Sequence, residues 1–249
     1  MLFTTQTCSV FLNTKLDLDE IFKWTNEEIV YKKYKTSSES DVKRPCFTSS
    51  MTMVIKPKLK SYQINAKISR NGTVQLTGCK SKTDAFDIFQ MIWQTCKKPN
   101  VTSTIIWYMT NYNINVGQTI DKPSLSKKLR SAPFPVILKH EPFYSYPGVV
   151  FKIPLTTEEL LGQEIVQIEC RDEICKINTL RYSDYVDTLA EKDKIKKKQR
   201  HYISFLVFTS GKINVSGISP ELTEEKMKLV VDFIALSFPI PVTSESQLV

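Results

Sequence analysis

A glycine-centred turn that occurs twice constrains the fold of this chain more than any other feature. Gly72 and Gly211 each lie between two β-prone runs, and they are 139 residues apart. Gly78 and Gly217 follow at the same separation, and after each pair comes a segment with helical periodicity. A hairpin-and-helix unit that recurs at one offset predicts an internal duplication, so both halves should fold in the same way.

The start of each half carries a second repeated motif, at a different offset. Residues 13–17 form a turn that ends in Asp17, and residues 117–121 repeat it 104 residues later. Asp17 is a predicted helix N-cap, with Glu20 as its reciprocal partner. Because the two offsets differ by 35, the second half carries extra residues, which we place in an insert at about 154–200.

Both halves are therefore predicted to run strand, helix, strands, hairpin and long helix. This order suits an α+β fold with two halves related by a pseudo-two-fold axis, helices on one face of the joined sheets and the other face open. The first repeat should span 1–100, the second 101–240 and a tail 241–249. Strands are predicted at 2–12, 47–55, 62–69, 73–77, 104–116, 147–153, 205–208 and 212–216, and helices at 16–24, 82–96, 122–130 and 221–237.

Composition bounds the functions that such a fold can carry. The hydrophobic share of 41% suffices for a folded core, and no apolar run reaches the roughly 18 residues that predict a membrane span. The first residues have neither the basic region nor the apolar stretch of a secretory signal. Six cysteines and two histidines are scattered along the chain, so we expect reduced structural thiols, no metal and no cofactor.

Catalysis is not expected from this sequence. It contains no P-loop, GxSxG or HExxH motif, and its adjacent carboxylates, such as Glu158 and Glu159, look like helix-start residues. The net charge of +8 instead suits a polyanionic partner such as nucleic acid. The basic run at 192–200 fits either a solvated helix face or a phosphate-contacting arm.

Several motifs together resemble the TATA-box-binding protein family. In the second half these are residues 146–152 and 205–217, preceded by 141–142, which are similar to the family's stirrup loop. In the first half they are residues 13–18 and 76–81. The resemblance covers most of both halves except the insert and the tail. The divergence, the insert and the lysine-, asparagine- and isoleucine-rich composition look most like homologues from large nucleocytoplasmic DNA viruses.

The resemblance implies a saddle, in which the concave face of a curved antiparallel sheet lies on the DNA minor groove and helices cover the convex face. The family is the standard example of apolar wedges that open base steps and bend the duplex. By resemblance, the wedges fall on Tyr146 and Phe208, beside Pro147 and Leu206. Further DNA contacts are implied for Asn214, Ser216, Lys152, Lys212, Asn111, Asn113, Thr5, Thr7, Thr77 and Lys80, and partner contacts for Glu141 and Phe143.

The first half departs from the family at its wedges. The wedge near the hairpin falls on Ser69, its strand neighbour is Lys67, and Gln75 is polar where the family is apolar. A hydroxyl group cannot unstack bases as a phenyl ring does. For the other first-half wedge three residues compete, namely Phe47, Met51 and Thr52. The central asparagines of the family fall on Thr5 and Met109, and nearby Asn111 and Asn113 could substitute for them.

Strand alternation supports an exposed position for Phe208. If Phe205 and Val207 point towards the helices, Leu206 and Phe208 must point to the open face, because successive side chains of a strand alternate. The competing interpretation is an ordinary core phenylalanine.

The leading hypothesis is a general transcription initiation factor that binds AT-rich promoter duplexes in the minor groove and recruits a transcription-factor-IIB-like factor and RNA polymerase. It would act in the nucleus or the cytoplasmic viral factory of an infected cell, with packaging in the virion as an option, and would bind no membrane or small-molecule substrate. One alternative is a protein-interaction scaffold of this fold in a transcription complex. Another is binding of single-stranded nucleic acid on aromatic platforms.

Overall fold

The computed structural model describes residues 2–34, 49–96, 100–139, 148–172, 174–197 and 201–238. The strands in this part are β1 (Leu2–Leu12), β2 (Ile29–Lys33), β3 (Ser50–Ile55), β4 (Ile64–Ser69), β5 (Thr73–Cys79), β6 (Asn100–Asn115), β7 (Ile137–Leu138), β8 (Gly148–Pro154), β9 (Glu164–Arg171), β10 (Ile174–Arg181), β11 (Tyr202–Phe208) and β12 (Lys212–Gly217). The helices are α1 (Leu18–Lys23), α2 (Lys82–Cys96), α3 (Lys122–Arg130), α4 (Thr157–Leu161), α5 (Tyr182–Asp187), α6 (Glu191–Lys197) and α7 (Pro220–Ser237). Within these residues, no helix is long and apolar enough to cross a membrane.

The described residues divide by their contacts into two compact units. Unit one comprises 2–4, 110–160 and 201–238, and unit two comprises 5–109 and 161–197. The division falls inside β6 and groups most of the predicted insert with the first half of the chain. The boundary predicted near residue 100 separates the two duplicated halves of the sequence. The two units are defined by contacts and do not test this boundary, so it stays a prediction.

Unit two is an antiparallel sheet with two helices on one face. Its strand order is β2-β3-β4-β5-β1-β6, and the first part of β6 also pairs with β9, which pairs with β10. Alternate residues of the strands are buried in one cluster with apolar residues of α1 and α2, including Leu18, Ile21 and Phe89. Helices α1 and α2 therefore cover one face of this sheet, which we call the core face. The opposite face is the noncore face.

Unit one repeats this construction with the later strands. Its order is β6-β12-β11-β8-β7, and α3 and α7 pack on its core face. The apolar cluster there joins Phe151 and Phe205 of the strands to Leu125 of α3 and Ile234 of α7. The α+β class and the antiparallel sheet predicted from the sequence are confirmed.

The two hairpins form the same hydrogen bonds at the offsets found in the sequence. Gly72 N donates to Ser69 O (3.1 Å), and Gly211 N donates to Phe208 O (3.0 Å). Gly72 O accepts from Leu12 N at the end of β1 (2.9 Å), and Gly211 O accepts from Val116 N just after β6 (3.0 Å). Both glycines have positive φ, 91° and 77°. Because glycine adopts positive φ more readily than any other residue, the conformation of each turn explains why glycine occurs at both positions.

Alanine at Gly211 is expected to lower the free energy of unfolding by about 2 kcal/mol. It would add the cost of a left-handed backbone conformation to a collision of the new Cβ with the Gln118 carbonyl oxygen. Gly117→Ala is the matched control, since Gly117 also has positive φ (72°) but no atom within 4 Å of the new Cβ, and should cost only about 1 kcal/mol. Urea unfolding followed by circular dichroism measures both, and equal losses would contradict a steric contribution at Gly211.

Predicted elements outside the insert are confirmed to within a few residues, although residues 47–48 and 147 lie outside the described part. The short strands β2 and β7 were missed, since two to five residues carry little periodicity. Asp17 caps α1 as predicted, accepting from Asp19 N (2.9 Å) and Glu20 N (3.2 Å). Of the apolar residues of α1, Leu18 and Ile21 are buried, whereas Phe22 is 38% exposed.

The expectation that all thiols are reduced is wrong for one pair. Cys170 and Cys175 lie directly opposite each other on β9 and β10 and form a disulfide. They are only five residues apart in the sequence, and the tight β9–β10 hairpin brings them together. Cys8 and Cys79 form no disulfide and are buried in the core of unit two.

Candidate nucleic-acid interface

Strand β11 divides its side chains between the two faces of unit one. Phe205 and Val207 are buried, at 1% and 0% exposure, among the core residues beneath α3 and α7. Leu206 and Phe208 alternate with them and are half-buried on the noncore face. The position predicted for Phe208 from strand alternation is confirmed, and the interpretation as a core phenylalanine is wrong.

Polar side chains line up with Leu206 across four strands of unit one. Asn113 of β6 is opposite Asn214 of β12, which is opposite Leu206, which is opposite Val150 of β8. Residues in direct register point to the same face about 5 Å apart. Both asparagines are exposed. The noncore face thus presents two amides beside two apolar side chains in one row.

A second row runs parallel to the first. Asn111, Ser216, Ser204 and Lys152 are opposite one another on the same four strands. Ser216 Oγ donates to Asn111 Oδ1 at 2.8 Å, which orients this amide. We call the two rows together with Asn115, Phe208 and Lys212 the polar face of unit one.

Strand β6 is held in place beneath the polar face by Tyr112. This residue lies between Asn111 and Asn113, is 1% exposed, and donates from its hydroxyl to Glu224 Oε1 of α7 at 2.7 Å. Burial, and then the hydrogen bond to Glu224, raise the pKa of Tyr112. A buried, neutral phenol thus anchors the strand on the core side while its neighbours point to the other side.

Two lysines give the polar face its positive charge. Lys212 is exposed and opposite Asn115. The Lys152 ammonium lies 5.4 Å from the centre of the Tyr202 ring, a cation–π arrangement that directs the side chain along the sheet. Both residues lie on the noncore face, and their implied DNA contacts stay predictions.

Gly148 makes room beside Phe208. The two residues are opposite each other on β8 and β11. A Cβ at Gly148 would lie 2.6 Å from Val207 O and 2.8 Å from Leu206 Cδ1. Because Gly148 has no side chain, Leu206 can lie close to its backbone, and β8 places no side chain directly opposite Phe208.

Unit two carries the remaining predicted contacts that the structure describes. Lys67, Gln75 and Thr77 are exposed on its noncore face, and Ser69 is half-buried there. Lys67 is opposite both Thr52 and Gln75 in register. This face is polar, as the sequence predicts.

Other residues of unit two are less open. Thr7 is only 7% exposed, and Thr5 is half-buried. Met51, one of three candidates for the first-half wedge, is 1% exposed in the core and cannot be that wedge. Lys80 uses its backbone N–H to donate to Asp84 Oδ2 at 2.6 Å. Of the other wedge candidates, Thr52 lies on the noncore face, and Phe47 lies outside the described residues.

Some predicted residues cannot be placed. Glu141, Phe143, Tyr146 and Pro147 lie outside the described residues, so the second wedge and the stirrup-like loop stay predictions. Conversely, sequence reasoning missed Ser204 and Asn115, which complete the rows. Strand alternation from Leu206 and Asn113 could have found both.

Comparisons with known proteins support the fold. No protein-family model matches the chain. The uncharacterized protein 335L of Invertebrate iridescent virus 6 is 28% identical over 228 residues, covering 80% of this chain. The chain spans 66% of that relative, just under two thirds of its length. The solved structure of Methanococcus jannaschii TBP is similar with a TM-score of 0.50 and 16% identity, covering 94% of this chain and 97% of that chain.

The structural neighbour shows a TBP-like fold, an open antiparallel sheet with several helices. At 16% identity it shows the fold alone. Protein 335L is a viral protein, and the divergence, the insert and the composition of this chain also resemble viral homologues.

Proposed function

We propose that this chain binds duplex DNA in the minor groove through the polar face of unit one. The observation that carries the proposal is the row of Asn113, Asn214, Leu206 and Val150 in direct register on the face away from the helices. A polar, accessible sheet face next to apolar side chains is what a groove-binding surface requires, because it can both hydrogen-bond and displace water.

The side chains of this face match the chemistry of the minor groove. Every base pair presents acceptor atoms there, and a G·C pair adds a donor, so asparagine amides can donate to A·T-rich sequence. The ammonium groups of Lys152 and Lys212 can neutralise phosphates. Phe208, with no side chain opposite it at Gly148, is positioned to press an apolar ring on a base step.

The finer family features belong to the same proposal. The repeated element order and the TBP-like fold support a two-repeat saddle and a role in transcription initiation. Under this proposal the protein is not an enzyme, and its partners are promoter DNA, a transcription-factor-IIB-like factor and RNA polymerase. It would act in the nucleus or the viral factory of an infected cell.

A second candidate function is a protein-interaction scaffold. It is favoured by Ile174 and Ile177, which are 75% and 56% exposed on β10. This strand pairs only with β9 among the described strands, so its other edge is open to a partner strand. Capture of an initiation-factor-like protein that survives neutralisation of Lys152 and Lys212 would support this function.

Asn214→Glu is expected to weaken binding of an AT-rich duplex by about 30-fold, since a carboxylate would lose the donor and repel phosphates. Gln94→Glu on α2 is the matched control, because it makes the same charge change at an exposed helix position and should change affinity less than about twofold. Fluorescence anisotropy across a salt series measures both. Lys212→Ala should also reduce the slope of log affinity against log salt concentration by about one, because one phosphate contact is lost.

Two results would contradict the proposal. One is the absence of salt-dependent binding to any duplex in the series. The other is an equal loss of affinity in Asn214→Glu and Gln94→Glu, which would reflect net charge and not the polar face.

A further inference from the structure

One strip of unit two is covered although it faces away from the core. On β1, Cys8 and Val10 belong to the core cluster, so Thr7 and Ser9 point to the noncore face. Even so, Thr7 and Ser9 are only 7% and 6% exposed. Gln75, opposite Ser9 on the adjacent strand β5, is exposed on that same face. Another part of the protein therefore covers the noncore side chains of β1, whereas those of β5 stay exposed.

The first part of β6 is covered in the same way. Ile105 and Trp107 belong to the core cluster, whereas Ile106 between them does not. Ile106 is nevertheless only 4% exposed, and Tyr108 on the same side is half-buried. We call Thr7, Ser9, Ile106 and Tyr108 the covered strip.

The cover comes from the insert. The Tyr185 ring stacks on Phe11 of β1 at 6.4 Å and on Tyr182 at 6.1 Å. The Lys197 ammonium at the end of α6 lies 5.0 Å from the centre of the Tyr108 ring and 5.9 Å from that of Phe11. Helix α5 thus places the Tyr185 ring against β1, with Tyr182 stacked on Tyr185. Helix α6 places the Lys197 ammonium against both β1 and β6.

Loss of contact with water shifts the pKa values of the groups in this cover. Burial raises the pKa of Tyr182 to about 12 and also raises the pKa of Tyr185. Burial lowers the pKa of Lys197. Desolvation disfavours the charged form of each group, which gives these directions.

The cover is attached to the sheet by backbone pairing. Strand β9 pairs with β6 from Asn100 opposite Arg171 to Ile105 opposite Val166. Tyr182 N then donates to Gln163 O at 2.7 Å, which brings the start of α5 back to the beginning of β9. The insert is therefore part of the sheet of unit two.

We propose that the insert closes the noncore face of β1 and the first part of β6, so that DNA contacts the polar face of unit one and not this strip. The statement about DNA rests on the proposed function. Strands β2 to β5 lie on one side of the covered strand β1, and β6 lies on the other side. A duplex that contacts β6 could therefore reach Gln75 of β5 only across the insert.

Cysteine labelling tests both clauses on the full chain. In a background carrying Cys46→Ser and Cys96→Ser, maleimide rates are compared for Ser9→Cys, Gln75→Cys and Asn113→Cys, with and without an AT-rich duplex. Without DNA, Ser9→Cys should react about 100-fold more slowly than Gln75→Cys, because it reacts only when the cover opens. Adding Tyr185→Ala and Lys197→Ala should raise the Ser9→Cys rate at least about tenfold. With DNA, Asn113→Cys should be protected and Gln75→Cys should keep its rate.

Each contrary outcome has one meaning. Equal DNA-free rates for Ser9→Cys and Gln75→Cys overturn the cover, whatever DNA does. Protection of Gln75→Cys together with Asn113→Cys overturns the confinement of DNA to unit one, while the proposed DNA binding stands. If no duplex binds and Ser9→Cys still reacts slowly, the proposed function and the DNA clause fall together and the cover stands.

Discussion

Replacing Phe205 with alanine is expected to lower the free energy of unfolding by about 4 kcal/mol. Phe205 and Phe151 are 1% and 0% exposed, and their rings stack 5.0 Å apart with planes 7° from parallel. The substitution would leave a cavity under α7, for which losses of about 3–5 kcal/mol are usual, and would also remove the ring–ring contact.

Phe208→Ala is the matched control, three positions further on the same strand. Its ring is half-buried on the opposite face, so its loss should cost only about 1 kcal/mol of stability. The two variants should separate in function as well, because Phe208→Ala is expected to weaken DNA binding about tenfold if its ring contacts base steps. Chemical unfolding and anisotropy give the two readouts, and equal stability losses would contradict the assignment of the two faces.

The second large effect is expected at Asp84, which sequence reasoning did not single out. This carboxylate is fully buried at the start of α2. It accepts from Lys80 N (2.6 Å), Ser81 N (3.0 Å) and the Tyr62 hydroxyl (2.9 Å), and forms an ion pair with Lys60. Asp84→Ala would leave these donors without their acceptor, and we expect a loss of about 3 kcal/mol in the free energy of unfolding.

The Asp84 contribution should depend on pH. Burial alone would raise the pKa of Asp84, but the Lys60 bond, the two backbone N–H groups and Tyr62 outweigh it and lower the pKa. A lowered native pKa means that the contribution is fully present above the unfolded value of about 3.9 and is lost as pH falls through the native value. The stability gap between wild type and Asp84→Asn should therefore narrow below about pH 4.

A neighbouring carboxylate provides the control for Asp84. Asp87 lies one turn further along α2 and is exposed, so Asp87→Ala should change stability by no more than about 0.5 kcal/mol. Urea unfolding at several pH values measures these differences. A gap that stays constant down to pH values well below 4 would show that the charge of Asp84 does not stabilise the fold.

Asp84 illustrates why part of the structure could not be predicted. An aspartate at a helix start is an ordinary surface residue in most proteins, and the α2 sequence offers no sign that this one is buried. Its burial follows from Lys60 and Tyr62, which lie more than 20 residues earlier. Such partners are chosen by tertiary packing and not by local pattern.

The side chains of β11 and β12 show the opposite case. Their placement follows from the alternation of strand residues and from a turn glycine, both of which are local and visible in the sequence. The same local logic places Asn111 and Asn113 opposite the buried Tyr112. Once the core face was identified, the polar face of unit one could be predicted almost completely.

The repeated Gly72 and Gly211 turns, and the α+β fold they belong to, were determined by the sequence itself, because turn conformation and strand alternation depend on adjacent residues. Which part of the noncore face stays open was decided only by the tertiary structure. There, Tyr185 stacks on Phe11, a residue 174 positions earlier in the chain. Burial of Ser9 and exposure of Gln75 on one face result from this long-range contact, which no local pattern encodes.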